Sequence, residues 1–154
     1  YAKPVPVDFS RLGRFRRDMA LVALAGPAMN LLLMLVGAVV LVMVEGWLDG
    51  TVQHWIALNG MYLVYLNAII AVFNMLPIPP LDGGKVIASL LPARVAVGWL
   101  KFERYAMLLV FGLFLIPYLL QTAFGINFPL TTWLIAEPAG ALSDAVLGMI
   151  LPSV

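Results

Sequence analysis

The sequence predicts an all-α integral membrane protein, and three observations carry that reading. Of its 154 residues 63% are hydrophobic and 11% charged, with a mean hydropathy of +1.01, where soluble domains run at about half apolar and a quarter charged. Three stretches free of Asp, Glu, Lys and Arg, Met19–Val44, Trp55–Leu76 and Tyr105–Ala136, each exceed the roughly 20 residues that a bilayer-crossing helix needs. All nine Lys and Arg fall in two blocks, Lys3–Arg17 and Lys85–Arg104, which is the asymmetry that the positive-inside bias produces. The expected architecture is therefore a single membrane domain over residues 1–154. It has about three transmembrane helices, near 19–44, 55–76 and 105–123, a proline-broken segment at Asp82, and a short C-terminal helix that is interfacial or re-entrant.

The elements follow in chain order. Tyr1–Asp8 alternates prolines with valines, which suits an extended segment and excludes a helix; composition alone makes it a linker. Arg11, Arg14, Arg16 and Arg17 form a basic anchor to anionic lipid beside the first span. As a helix, Met19–Val44 would reach about 39 Å against a hydrocarbon core of about 30 Å, so it tilts, kinks at Gly26-Pro27 or protrudes. Asn30, one turn beyond Pro27, can bond a neighbouring helix or the carbonyl that the proline frees. The loop Glu45–His54 carries Gly46, Asp49 and Gly50 and no Lys or Arg, and is expected on the non-cytoplasmic side. His54 beside Trp55 suits an interfacial position. Asn59, Asn67 and Asn74 recur at intervals that keep them broadly on one face of the second span, as polar groups in helix packing do.

After Leu76 the pattern breaks. Pro77, Pro79 and Pro80 lack an N–H and disfavour helix in the residue before each, so Met75–Leu81 is expected to be extended or turn-like. Asp82 follows at membrane depth, where an ionisable group costs roughly 2.5–3.5 kcal/mol on insertion scales. Irregular backbone at that depth is tolerated where protein buries it or it lines a wet cavity. Gly83 and Gly84 allow a turn and a close approach, and Lys85–Leu91 reads as a short helix stopped at Pro92. Beyond the second basic block, Pro117 is an expected kink, Gly125 and Pro129 are breakers, and Ala139–Leu151 is too short to span. With no cysteine, disulfides and thiolate metal sites are excluded. No signal-peptide pattern opens the chain, whose first residue is not methionine, so the sequence reads as a piece of a longer polypeptide.

The run Asn74-x-x-Pro77-x-Pro79-x-Leu81-Asp82-Gly83 resembles the signature of the site-2 protease family of intramembrane zinc metallopeptidases, in its compact bacterial branch. Ala2-Lys-Pro-Val-Pro-Val7, Gly26-Pro-Ala-Met-Asn30 and Leu100-Lys-Phe-Glu-Arg-Tyr105 agree with it in order. The resemblance implies hydrolysis of peptide bonds in or near membrane segments of substrate proteins. It implies Asp82 as a third zinc ligand, and Pro77, Ile78, Pro79, Pro80 and Leu81 as a substrate-binding segment, which the prolines and unpaired backbone groups would suit to edge pairing. Asn30 and Asn74 become candidate supporting polar groups, and Tyr1–Asp8 a segment that helps present substrate. The family's His-Glu-x-x-His is absent from the sequence, whose one histidine is His54. By the resemblance, the histidine ligands and the general-base glutamate belong to missing N-terminal catalytic helices, and this chain by itself is expected to be inactive. The expected partners are a membrane protein substrate, the lipid bilayer and those helices, with no nucleic acid. The expected setting is a bacterial cell membrane, with the N-terminus of this chain cytoplasmic. A rival reading from the residues is a non-catalytic membrane scaffold or partner-binding module in which Asp82 balances Lys85 or a partner's cation and the prolines form a hinge.

The charge asymmetry generates a topology test. Cysteines introduced at Asp49 and Arg94 should label from opposite faces of the membrane, Arg94 from the cytoplasm; labelling of both from one face would refute the arrangement of spans.

Overall fold

The computed structural model describes residues 12–45 and 50–150, with side chains from residue 16 to 44 in the first stretch. The expectations for Tyr1–Asp8, Arg11, Gly46 and Asp49, and for the side chain of Arg14, lie outside the described residues. Six α-helices follow one another: α1 Leu12–Glu45, α2 Thr51–Asn74, α3 Asp82–Leu90, α4 Ala93–Lys101, α5 Glu103–Phe124 and α6 Glu137–Ile150, the last preceded by a π-helical turn at Thr132–Ala136. There is no strand among the described residues. The all-α membrane class is thus the class observed.

Among the described residues four helical stretches are long and apolar enough to cross a membrane: Arg16–Val44, Thr51–Asn74, Glu103–Phe124 and Thr132–Ile150. The first three correspond to the expected spans within a few residues. Pro27 and Pro117 both lie inside continuous helices. The fourth stretch differs from expectation, because helix begins seven residues before Ala139. Proline at 138 would meet the carbonyl of Leu134 in a regular α-helix; the wider π turn immediately ahead of it lets the helix continue through that position. Joined in this way the segment reaches 19 residues, enough by length for a crossing.

Most large apolar side chains on these helices face outward, among them Met29, Leu32, Met61, Leu66, Leu108 and Phe111. Such a surface suits lipid, since soluble proteins rarely expose apolar patches of this extent. The interior is built from small residues. Ala23, Ala38, Ala68, Ala88, Ala106 and Ala139 are completely buried, as expected where helices associate by close van der Waals approach.

The α1–α2 pair is the scaffold. A Cβ on Gly37 would stand 3.2 Å from the carbonyl oxygen of Gly60 and 3.0 Å from Val64, and one on Gly60 would stand 2.9 Å from Leu41. The two backbones meet at this pair of glycines and fix the antiparallel register. Ile135 of the π turn clusters with Leu76, and α6 continues with Ala139 and Val146 clustered with Met34, Ala38, Val64 and Ala68, so it runs back along α2. Helix α5 is tied in through Leu113, which shares the Leu76 cluster, and through Phe114, whose ring centroid lies 6.1 Å from that of Phe73.

The glycine contact yields a contrast. Gly60→Leu should lower stability in detergent by about 1–3 kcal/mol through overpacking. Gly98, in α4 with nothing near its Cβ position, should gain about 0.5–1 kcal/mol on Gly98→Ala. Equal effects of the two substitutions in denaturation curves would mean that α1 and α2 do not meet at Gly37 and Gly60.

Candidate functional site

The break after α2 is a chain of tight turns. Met75 donates its N–H to Ala71 and Val72, Leu76 to Phe73, Ile78 to Leu76 at 2.8 Å and Leu81 to Ile78 at 2.9 Å. Pro77, Pro79 and Pro80 have no N–H to satisfy, and the Pro79–Pro80 peptide bond is cis. Every backbone donor from Met75 to Leu81 is therefore used, Met75 and Leu76 by the last turn of α2 and Ile78 and Leu81 within the segment. The carbonyls of Pro77, Pro79 and Pro80 accept no backbone bond among the described residues. The sequence reading expected unpaired groups here; acceptors alone are what the segment leaves.

Helix α3 starts at Asp82, three residues earlier than expected. Its first turn is pressed against the turns above it. A Cβ on Gly83 would collide with the carbonyl oxygens of Met75 and Leu76, and one on Gly84 would stand 2.6 Å from the nitrogen of Pro79. Two successive glycines, unfavourable to a helix in isolation, are required here because only a bare backbone fits. Two long-range bonds hold the helix. Trp99 in α4 donates its indole N–H to the Gly84 carbonyl at 2.9 Å, and Arg16 in α1 donates to the Leu91 carbonyl just past the end of α3. The sequence marks Arg16 as one of a basic cluster and does not mark Trp99, and it shows neither contact, since nothing in local spacing marks a bond across 15 or 75 positions.

Asp82 occupies the first turn of α3, where the helix dipole favours a carboxylate. Its side chain retains 23% exposure. Oδ1 accepts a hydrogen bond from Lys85 Nζ at 2.9 Å, whereas Oδ2 faces α1, 2.9 Å from where a Cβ on Gly26 would stand. Gly26 lies ten residues from Arg16, about 15 Å of helix rise, so the carboxylate meets α1 well inside its apolar length. The oxygen turned toward α1 has no hydrogen-bond donor among the described residues.

The other candidates distribute around this point. Asn30 lies one turn beyond Gly26 on the same side of α1 and is half-buried. Asn74 is the last residue of α2 and is half-buried as well. Neither side chain has a hydrogen-bond partner among the described residues. The other two asparagines of the stripe are satisfied on their own helix, Asn67 by Leu63 and Asn59 by Trp55, both at 2.7 Å. The stripe is also not uniformly inward, because Asn67 is buried and Asn59 exposed. Pro79 is buried, Ile78, Pro80 and Leu81 are half-buried, and Pro77 is exposed. His54 is exposed in the first turn of α2, about 30 Å of helix rise from Asn74, and so stands apart from Asp82.

Among the described residues no three His, Asp or Glu side chains come together. Asp82 alone offers one donor of the three that a catalytic zinc site takes from protein, so the described residues do not make up such a site. The fit at Gly83 and Trp99 can be tested directly. Gly83→Ala should destabilise the protein by about 3 kcal/mol through overpacking, and Trp99→Phe by about 1 kcal/mol through one lost hydrogen bond, both read from denaturation in detergent. A neutral Gly83→Ala would refute the packing of α3 beneath the turns.

With this geometry in place, comparison with known proteins is informative. Residues 50–117, which hold α2, the turns, Asp82, α3, α4 and most of α5, match the family described as Peptidase family M50. The chain is 31% identical over 120 residues to the Bacillus subtilis protein named "Putative zinc metalloprotease YwhC", covering 76% of this chain and 55% of that protein. It is 39% identical over 66 residues to "Putative zinc metalloprotease MJ0611" of Methanocaldococcus jannaschii, covering 43% of this chain and 31% of that protein. The chain thus spans about half the length, or less, of these curated relatives. No solved structure matches it significantly. An all-helical apolar chain, broken at a proline-spaced Asp-Gly-Gly and similar over this break to proteins named as zinc metalloproteases, belongs to peptidase family M50, the site-2 protease family.

Proposed function

We propose that the full-length protein is an intramembrane zinc endopeptidase that cleaves peptide bonds in or near membrane segments of substrate proteins, and that Asp82 is this chain's metal ligand. Family membership supports the reaction class. The observation that carries the assignment to Asp82 is its divided carboxylate: Oδ1 is held by Lys85 while Oδ2 is directed at Gly26 with no donor among the described residues. In this proposal two histidines and the general base come from parts of the protein beyond these 154 residues. A zinc ion would contribute Lewis acidity and a bound water of lowered pKa.

The chain's own residues have distinct roles in this reading. Gly26 leaves room for the carboxylate, Lys85 balances its charge, and the glycines with Trp99 and Arg16 keep α3 in position. Asn30 and Asn74, whose amides have no hydrogen-bond partner among the described residues, are supporting polar groups for the substrate's backbone. Pro77–Leu81 is the substrate-facing segment, offering carbonyls to the N–H groups of an extended peptide. The bilayer is that of a bacterial cell, with the basic end of the bundle in the cytoplasm. The Lys85–Asp82 pair itself favours the rival reading, a non-catalytic membrane module in which this ion pair is the carboxylate's whole purpose.

Variants of the full-length protein separate the two. Under the protease reading, Asp82→Asn abolishes both zinc retention and cleavage of a membrane-tethered reporter. Asp82→Glu also fails, because an added methylene moves the oxygen by more than the few tenths of an ångström that a metal site accepts. Gly26→Ala, which puts a methyl group against Oδ2, lowers cleavage by about tenfold or more for a displacement near 1 Å while the protein still inserts. Under the rival, Asp82→Glu behaves almost normally and Asp82→Asn loses stability by leaving Lys85 unpaired. Full cleavage by Asp82→Asn would remove Asp82 from the reaction.

A further inference from the structure

Where α4 turns into α5, at Phe102, the chain forms an open cavity of about 530 Å3 lined by Pro80, Leu100, Lys101, Glu103, Arg104 and Met107. Its chemistry is divided. Leu100, Met107 and Pro80 make apolar walls, while Lys101 and Arg104 bring two cations against the one carboxylate of Glu103. Among the described residues neither cation has a carboxylate partner within ion-pair distance. The Arg104 guanidinium instead lies 4.8 Å from the centroid of the Tyr105 ring, an arrangement that orients it and leaves its donors available.

The position of the cavity identifies its ligand. Helix α5 begins here and is apolar enough to enter a bilayer from this point onward. Helix α4 is short and amphipathic, carrying Arg94 and Lys101, as helices lying in the headgroup plane are. The Arg16–Leu91 bond brings the start of α1 to the end of α3, so the described basic residues Arg16, Arg17, Arg94, Lys101 and Arg104 gather toward one end of the bundle. That is the end at which anionic headgroups attract polybasic segments. We propose that the α4–α5 elbow is a binding site for one anionic phospholipid, its phosphodiester held by Lys101 and Arg104 and the start of its acyl chains lying along Leu100, Met107 and Pro80. The site does not depend on the metal reading of Asp82. It adjoins that segment, since Pro80 lines the cavity two residues before Asp82 and Trp99, two residues before Lys101, bonds the carbonyl of Gly84. A seated headgroup braces the turns that carry the carboxylate.

The test uses the full-length protein in a neutral detergent, incubated with equal amounts of phosphatidylglycerol and phosphatidylcholine; lipid retained after gel filtration is quantified by mass spectrometry. One phosphatidylglycerol per protein should be retained in preference. In K101Q/R104Q that preference should fall on the order of tenfold, given the contribution of each basic side chain near an anionic surface. K101R/R104K should keep it, and Arg94→Gln, outside the cavity, should not change it. Equal retention of the two lipids by the unmodified protein overturns the proposal without reference to any variant. Unchanged preference in K101Q/R104Q also overturns it. Displacement of the lipid by millimolar inorganic phosphate would show that the elbow takes a free phosphate group instead, which overturns the lipid assignment.

Discussion

A backbone that leaves helix inside the hydrocarbon must leave few N–H groups unpaired, and the architecture around residues 75–81, which uses every donor and leaves only acceptors open, follows from that constraint. Prolines remove three donors outright, and short turns satisfy the rest. The turns can close only if another backbone comes directly beneath them. That requirement puts glycine at 83 and 84 and starts α3 at Asp82. Helix α1 covers the remaining side, with Gly26 at the one point where a carboxylate needs space.

The same geometry makes a carboxylate tolerable at this depth. An isolated charge would be costly there, but Asp82 meets three mitigating effects: the N-terminal end of α3, a lysine three residues on at 2.9 Å, and partial exposure of both side chains. An i,i+3 pair on a helix contributes only a few tenths of a kcal/mol in water, so the pairing is not an obvious source of stability. It holds the group in one orientation and leaves one oxygen uncommitted.

Much of this was legible in the sequence because charges and prolines mark boundaries strongly in an apolar chain. The three long helices end within a few residues of the expected positions, and the turn-like character of Met75–Leu81 follows from its prolines. The start of α3 was missed because Gly83 and Gly84 argue against helix locally, while tertiary packing demands them. Helix α4 was read only as a basic block, its nine residues being too few for a firm periodic signal. The early start of the last helix was hidden by Pro138, which a π turn accommodates. Trp99 and Arg16 were illegible for a different reason: their partners lie in other helices, and periodicity carries no information about which carbonyl a side chain reaches. Asn30 and Asn74 are set apart from Asn59 and Asn67 already by the family resemblance; what the structure adds is that Asn59 and Asn67 are bonded to carbonyls of their own helix.

Helix α5 stands apart from this economy of contacts. In its long apolar length only Ala106 and Leu113 are buried, and the rest answers to the solvent around it. Exchanges among Leu, Ile, Phe and Met along its outer side are therefore close to neutral, whereas a larger residue at 106 or a smaller one at 113 is not. Over evolutionary time this helix is free to drift in identity while keeping its hydropathy, and the segment from Asn74 to Lys85 has no such freedom. Divergence between relatives should accordingly accumulate on the face that meets lipid, leaving the turns as the part by which distant members still recognise one another.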